Sequence, residues 1–391
     1  MKRTAIAIIL FITILFAYTP PAKAVTLEYP YLYKDPRIMA MGGANVAVGG
    51  YAASMFHNPA GVGTIPEEYG FEIDLIGLTG SVSKDGKDFV DDLNDAFDTG
   101  DLNNNGNTAD DQTKAVLDVL KKYRGKTLHY GLNSLLSISR RFGPLGVSIA
   151  ALGSLNIDAQ VHQGFSSQGI VSLNGSFTYG PVAGLSYAFM DEKLIVGASA
   201  KVMHRESVVH DFTAREIVEN QTDLENYFTD ELLKKGDAFG LDLGAIYRLP
   251  EILGFSPSVG VSYLNIGDLD FGEAGKVPGT VNIGAALEAR RDAFFFDRIV
   301  LALDLVDITK NYEQDSDLGK RLRAGAELRV WGGGLTDMIL RAGSYQGYWT
   351  AGVEFRLAMV RLVASSYAEE MGGYSGQDEN RRYMLSLYIN F

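Results

Sequence analysis

A stretch of acidic and amide residues near position 100 has the spacing of a calcium-binding loop. Four oxygen-bearing side chains occupy the first, third, fifth and seventh positions of an EF-hand-like pattern: Asp101, Asn103, Asn105 and Asn107. The twelfth position carries Gln112, where calcium coordination normally uses a bidentate glutamate. The pattern therefore makes calcium a candidate cofactor, although a solvated polar loop between two helices is the simpler interpretation.

A second set of charged side chains recurs at every other position of apolar stretches: Glu72, Asp74, Arg321, Arg323, Glu327, Arg329, Glu354 and Arg356. Alternation with a period of two places charges on one face of a strand. Both signs are present, so a network of cross-strand ion pairs is the expected arrangement. The alternative is that Arg321, Arg323 and Arg329, on one strand face, bind the carboxylate headgroup of a ligand.

Residue patterns typical of enzymes do not occur in the sequence. There is no cysteine, so thiol nucleophiles, thiolate metal sites and disulfides are excluded. The five histidines form no HExxH pattern, and the sequence contains neither a P-loop nor a Gly-x-Ser-x-Gly motif. The formal net charge of −13 argues against a nucleic-acid partner. We therefore predict that the protein is not an enzyme.

The alternating segments that carry these charges predict the architecture. They number about fourteen, continue to the last residues, Arg382 to Phe391, and an even number is typical of bacterial barrels. Since a charge facing lipid at the membrane midplane costs about 2–4 kcal/mol, the charged face must point inward. We predict an all-β, transmembrane antiparallel barrel of about 14 strands. A soluble or peripheral periplasmic β-protein is a weaker alternative.

The first 24 residues have the features of a secretory signal peptide. Lys2 and Arg3 precede an apolar run from Ala5 to Tyr18, and Ala22-Lys23-Ala24 fits the small-x-small cleavage pattern. The run is shorter than the roughly twenty residues that a spanning helix needs. We expect cleavage near Ala24 and a mature protein that is embedded in the lipid of the outer membrane.

Residues 25–61 form a glycine-rich segment before the strands. Asp35-Pro36, the Met41-Gly42-Gly43 run and Asn58-Pro59-Ala60-Gly61 resemble the N-terminus of FadL-like outer-membrane barrels. In that family the segment folds into the barrel as a hatch. The resemblance thus implies that Asn58, Pro59, Ala60 and Gly61 take part in gating, and that the barrel passively transports small hydrophobic molecules. A packed glycine-rich linker without a gating role would have the same composition.

Two helix-prone insertions interrupt the strands, near residues 83–126 and 214–236. Phe89, Leu93 and Phe97 recur at helical spacing in the first. A helix–loop–helix after the first strand resembles TraF-type barrels of plasmid-transfer operons, which are distant relatives of the FadL group. This resemblance implies an alternative role, in which a plugged barrel binds an envelope protein partner in conjugation or secretion. The predicted organisation is a signal peptide (1–24), a hatch-like segment (25–61) and a barrel (62–391).

Overall fold

The computed structural model describes residue 28 and residues 31–67, 70–98, 109–162, 170–219, 232–293, 296–312, 317–333 and 335–390. Within these ranges, fourteen antiparallel strands close into one barrel, in which the first strand pairs with the last. The predicted fold class and strand number are confirmed. The predicted signal peptide lies outside the described residues. Among the described helices, none is long and apolar enough to cross a membrane.

Each barrel strand pairs with the strands that precede and follow it in the barrel. Two short strands in the second half of the chain form a hairpin that remains outside the barrel sheet. The strands are β1 (Phe71–Ser83), β2 (Thr127–Phe142), β3 (Leu145–His162), β4 (Ile170–Phe189), β5 (Leu194–Thr213), β6 (Lys234–Arg248), β7 (Ser256–Leu264), β8 (Leu269–Asp270), β9 (Lys276–Val277), β10 (Thr280–Ala293), β11 (Phe296–Leu305), β12 (Leu322–Gly333), β13 (Thr336–Tyr345), β14 (Tyr348–Leu357), β15 (Val360–Glu370) and β16 (Glu379–Asn390).

The two ends of the barrel differ in the length of their connections. At one end the chain turns within a few residues, as at 143–144, 190–193 and 358–359; we call this the short-turn end. At the other, the long-loop end, lie the helical insertions and the β8–β9 hairpin. Bacterial barrels have short periplasmic turns and longer extracellular loops.

Alternation along each strand separates the two faces of the wall. Large apolar side chains such as Leu132, Ile149 and Leu243 are exposed on the outside. Asp242, Arg323 and Glu354, which alternate with apolar neighbours, are buried on the inside. The charged face therefore points into the lumen, because only there can these groups find partners away from lipid.

The first insertion folds into α2 (Gly86–Asp98) and α3 (Ala109–Lys122), and α4 (Ala214–Glu219) begins the second. Phe89, Val116, Leu120 and Tyr123 are buried in one apolar cluster with wall residues at the long-loop end. The second insertion is shorter than expected, because β6 already begins at Lys234. The candidate calcium ligands Asp101, Asn103, Asn105 and Asn107 lie outside the described residues, so that site stays a prediction.

The N-terminal residues fill the barrel. We call residues 31–67 the inner segment; it contains α1 (Pro36–Ala40) and two 3₁₀ helices, η1 (Ala52–Phe56) and η2 (Pro59–Thr64). The motifs noted in the sequence are helix starts. Asp35 and Asn58 each cap a helix, accepting from the backbone N–H two residues later, and a proline occupies the first helical position.

Candidate functional site

The inner segment contacts the wall through a ring of glycines, which we call the glycine girdle: Gly197, Gly244, Gly260, Gly284, Gly325, Gly343 and Gly352. They belong to seven strands, β5–β7, β10 and β12–β14. A Cβ atom at any of these positions would come within 3.0 Å of an atom of the inner segment. Only glycine lets the two backbones approach so closely.

Asn58, a predicted gating residue, fastens the inner segment to the wall. Its Nδ2 donates to the Val46 carbonyl at 2.7 Å and to the Ala245 carbonyl of β6 at 3.1 Å. Pro59 and Ala60 lie directly against Gly197, and Gly61 is buried beside Gly49. The four residues Asn58–Gly61 therefore lie at the contact between segment and wall, while their role in gating remains a proposal.

A second anchor lies three strands further along the wall, on β11. Asp304 of β11 is buried, and its Oδ2 accepts from the backbone N–H groups of Asn45 and Val46 at 2.6 and 2.8 Å. Thr350 of β14 donates to the Ala40 carbonyl at 2.8 Å. These bonds satisfy backbone groups that would otherwise be buried without partners.

The contact with β2–β5 is apolar instead. Met55, Phe56, Val62 and Ile65 of the inner segment pack against inward-facing wall residues, namely Leu135, Ala150, Leu152, Val182 and Met203. We call this contact the apolar seam. Few directional bonds hold it, in contrast to the hydrogen-bonded contacts with β6, β7, β11 and β14.

A buried ion-pair network closes the long-loop end. Arg382 of β16 donates to Glu28 at 2.9 Å and to Asp158 at 3.1 Å. Lys34 contacts both Glu28 and Glu369. Glu28, His129 and Asp158 are close enough to share a metal ion. However, Arg382 and Lys34 already bind these carboxylates, so the arrangement functions as an ion-pair network between the inner segment and the wall.

Several titratable groups of the inner segment, outside the membrane-spanning strands, have perturbed pKa values, among them His57 and Lys34. Burial lowers the pKa of His57 to about 4, with Arg323 adding to the effect and Asp35 opposing it. Burial also acts to lower the pKa of Lys34, but the carboxylates of Glu28 and Glu369 outweigh it and raise that pKa above its usual range. The Lys34 ammonium is thus held charged within its network.

The short-turn end contains a cavity of ≈ 930 Å³, which we call the vestibule. Its inner limit is the inner segment itself, at Gly49, Gly50, Tyr51, Thr64 and Pro66. Eight arginines and six carboxylates line it. Arg341 connects two of the carboxylates, because it donates to Glu327 at 2.8 Å and to Glu354 at 2.7 Å.

Five of the predicted lumen residues line the vestibule, and a sixth is buried elsewhere in the wall. Glu72, Glu327, Arg329, Glu354 and Arg356 line the vestibule. Asp74 is buried and accepts from Ser137 at 3.0 Å. Their role in ligand binding stays a prediction.

The proposed headgroup site of three arginines does not form. Arg321 ends a helical turn, α5 (Leu318–Arg321), that Asp317 caps, so it does not lie on the strand. Arg323 stacks on the Tyr345 ring at 4.0 Å near the long-loop end. Arg329 is six residues further along β12, about 20 Å away at the rise of a strand, and pairs with Asp337 at 2.5 Å.

Comparison with solved structures shows which proteins share this fold. The chain is similar to the Pseudomonas putida toluene transporter TodX, with 9% identity over 94% of this chain and 99% of that one and a TM-score of 0.52. It is also similar to the Ralstonia pickettii toluene transporter TbuX, with 13% identity over 93% and 99% and a TM-score of 0.50. The chain thus has the fold of FadL-like outer-membrane barrels.

The family follows from the sequence. The profile of the family described as "F plasmid transfer operon, TraF, protein" matches residues 55–315, and the chain belongs to that family. Both predicted resemblances are therefore confirmed. No curated protein matches the chain significantly.

Sequence reasoning missed the glycine girdle, although a signal was present. The girdle glycines are an even number of residues from the inward charges, so they lie on the same face of the strand. Gly325 lies between Arg323 and Glu327, and Gly352 lies two residues before Glu354. A glycine on the charged face of successive strands indicates that another backbone approaches there.

Proposed function

We propose that the protein lies in the outer membrane, with its short-turn end toward the periplasm, and passively transports small hydrophobic molecules, with the inner segment as a movable hatch. One observation carries the proposal: the vestibule ends on the inner segment. A solute that passes from one end of the barrel to the other must therefore displace that segment. The fold resembles that of proteins described as toluene transporters and monoaromatic hydrocarbon channels.

The apolar seam supports a hydrophobic substrate. On the β6, β7, β11 and β14 sides, hydrogen bonds hold the segment. Along β2–β5 the contact consists of apolar side chains. A path that opens by separation of this contact would be lined by Leu135, Leu152 and Val182, which suits an apolar solute and excludes ions.

A disulfide across the apolar seam tests the proposal. A Cβ at position 184 would lie 3.8 Å from the Met55 Cβ, within the range of about 3.5–4.5 Å that disulfides require. The chain has no cysteine that could form competing bonds. In cells that express Met55→Cys/Gly184→Cys, we expect uptake of labelled toluene to fall to that of cells without the protein, and to recover after reduction. Met55→Cys and Gly184→Cys alone are the controls.

The alternative function is an assembly component that binds an envelope protein through its helical insertions. The packed cluster of α2, α3 and α4 at the long-loop end favours it, since the described residues of that cluster come from the helices and the wall and not from the inner segment. The same experiment separates the two functions. If the oxidised variant takes up toluene as fast as the single-cysteine controls, a moving hatch is ruled out. If the wild type and both controls take up toluene no faster than cells without the protein, a plugged barrel that binds a partner is the better description.

A further inference from the structure

A row of arginines surrounds part of the vestibule at the short-turn end. We call these residues the arginine row: Arg290, Arg298, Arg329, Arg356 and Arg361. The strand register places Arg290 opposite Arg298, Arg298 opposite Arg329, and Arg356 opposite Arg361. Like charges directly opposite each other destabilise a sheet. An unfavourable pairing that occurs three times at one end of the lumen is the kind of local conflict that marks a functional site.

Carboxylates pair with the arginines of the row. Arg298 binds both Glu288 and Glu327, at 2.9 and 2.8 Å. Arg329 and Arg356 share the carboxylate of Asp337, and Arg329 also lies 3.7 Å from Asp297.

The lining has two more arginines than carboxylates. Two of these arginines, Arg37 and Arg248, pair with Asp35 and Glu192 outside the lining, so the remaining six arginines and six carboxylates balance in formal charge. Attraction of an anion to the vestibule therefore depends on how the guanidinium groups are arranged and not on a net positive charge.

The opposed pair Arg356–Arg361 retains unused donors. The Nε atom of Arg356 is buried and has no hydrogen-bond partner among the described residues. The Nε atom of Arg361 lies 3.2 Å from Glu354 but lacks hydrogen-bond geometry there. Two guanidinium groups on adjacent strands with buried donors left over are complementary to the oxygens of one carboxylate or phosphate.

We propose that the vestibule is a binding site for a small organic solute with a carboxylate or phosphate group, which the Arg356–Arg361 pair holds. The volume of ≈ 930 Å³ is within the range of about 300–1,000 Å³ of small-molecule sites. Tyr51 offers aromatic surface to the rest of such a solute. This site goes beyond the proposed transport function, because binding requires no movement of the inner segment.

Calorimetric titration of the whole mature protein in a nonionic detergent tests the site. The probes are adipate, inorganic phosphate and the neutral diamide adipamide. We expect at least one of the two anions to bind the wild type and adipamide not to bind. Arg356→Gln/Arg361→Gln should weaken that anion at least about tenfold, as expected for the loss of charged hydrogen bonds. The matched control, Arg124→Gln/Arg215→Gln, removes the same charge from the helical insertions and should bind like the wild type.

A single variant keeps the test valid if the double variant does not fold. Arg290 belongs to the same row, and its side chain is 71% exposed, so Arg290→Gln leaves the barrel intact. It should weaken the anion about threefold, since a nearby positive charge is lost. The proposal is overturned if neither anion binds the wild type, if adipamide binds as tightly as adipate, or if the vestibule variants bind like the Arg124/Arg215 control.

Discussion

The two ends of the lumen contain the same kinds of residue but use them differently. At the long-loop end, Arg382 is completely buried and contacts Glu28 of the N-terminal region and Asp158 of β3. At the short-turn end, the side chains of Arg298 and Arg356 are 27% and 30% exposed and line a cavity. Arginines paired with carboxylates thus join parts of the chain at one end and form an accessible polar surface at the other.

This difference explains why charge pattern alone does not reveal function in such a barrel. Buried Arg382, between two carboxylates, holds the N-terminal region against the wall, because removing either sign leaves an unpaired buried charge. An accessible arginine with a shared carboxylate contributes little to stability and remains available to a ligand. The position of a charge along the barrel axis therefore decides its role.

The largest effect that we predict comes from Arg382. Arg382→Met removes the guanidinium group and leaves the Glu28 and Asp158 carboxylates without their main partner. The free energy of unfolding should fall by about 3–5 kcal/mol, the usual effect of breaking a buried ion pair. Denaturant unfolding of the barrel in detergent micelles measures this change.

The matched control for that variant is Arg290→Met at the short-turn end. Among the described residues Arg290 pairs with Glu288, and because its side chain is 71% exposed the change should be at most about 0.5 kcal/mol. Equal losses in the two variants would mean that the two ends do not differ in the way described above.

A smaller, pH-dependent effect is expected from His57, which the inner segment buries. Its Nε2 has no hydrogen-bond partner among the described residues. Burial lowers the pKa of His57 from 6.5 to about 4, so between these values the unfolded chain binds a proton that the folded protein does not. Stability should therefore decrease with falling pH by about 1.4 kcal/mol per unit, roughly 3 kcal/mol by pH 4.

His57→Gln isolates this contribution from those of the carboxylates. The difference in unfolding free energy between wild type and variant, measured at pH 8, 6 and 4.5, should shift in favour of the variant as the pH falls. A difference that stays constant over this range would show that the His57 ring is accessible to water. The inner segment would then be packed less tightly around His57 than the structure shows.

The barrel could be predicted because its determinants are local in sequence. Alternation with a period of two identifies each strand and separates its charged face from its apolar face. The charged face must point inward, because charged side chains that face lipid destabilise a barrel. The motifs Asp35-Pro36 and Asn58-Pro59 were visible in the sequence as breaks and turns, but the short helices that they begin were not predicted.

The arrangement within the lumen was less accessible from the sequence. The alternation along a strand shows which residues face the lumen, but it does not show how far along the barrel axis each residue lies. Arg323 and Arg329 were therefore placed in one site although they lie near opposite ends. Asp304 and Asn58 obtain their partners from segments about 190 to 260 residues away, and no local pattern predicts such pairs.

The smallest predicted effect compares two glycines that differ only in the face on which they lie. Gly352 of β14 faces the inner segment, and a Cβ there would be 2.5 Å from the Ala40 Cβ. Gly80 of β1 faces outward, and a Cβ there would have no other atom within 4 Å. Gly352→Ala should therefore cost about 1–3 kcal/mol through overpacking, while Gly80→Ala should change stability by no more than about 0.5 kcal/mol. Both values come from denaturant unfolding under the same conditions.

If Gly352→Ala is as harmless as Gly80→Ala, the inner segment can move away from the wall at little cost in free energy. The contact between the inner segment and the wall would then tolerate extra volume without loss of stability.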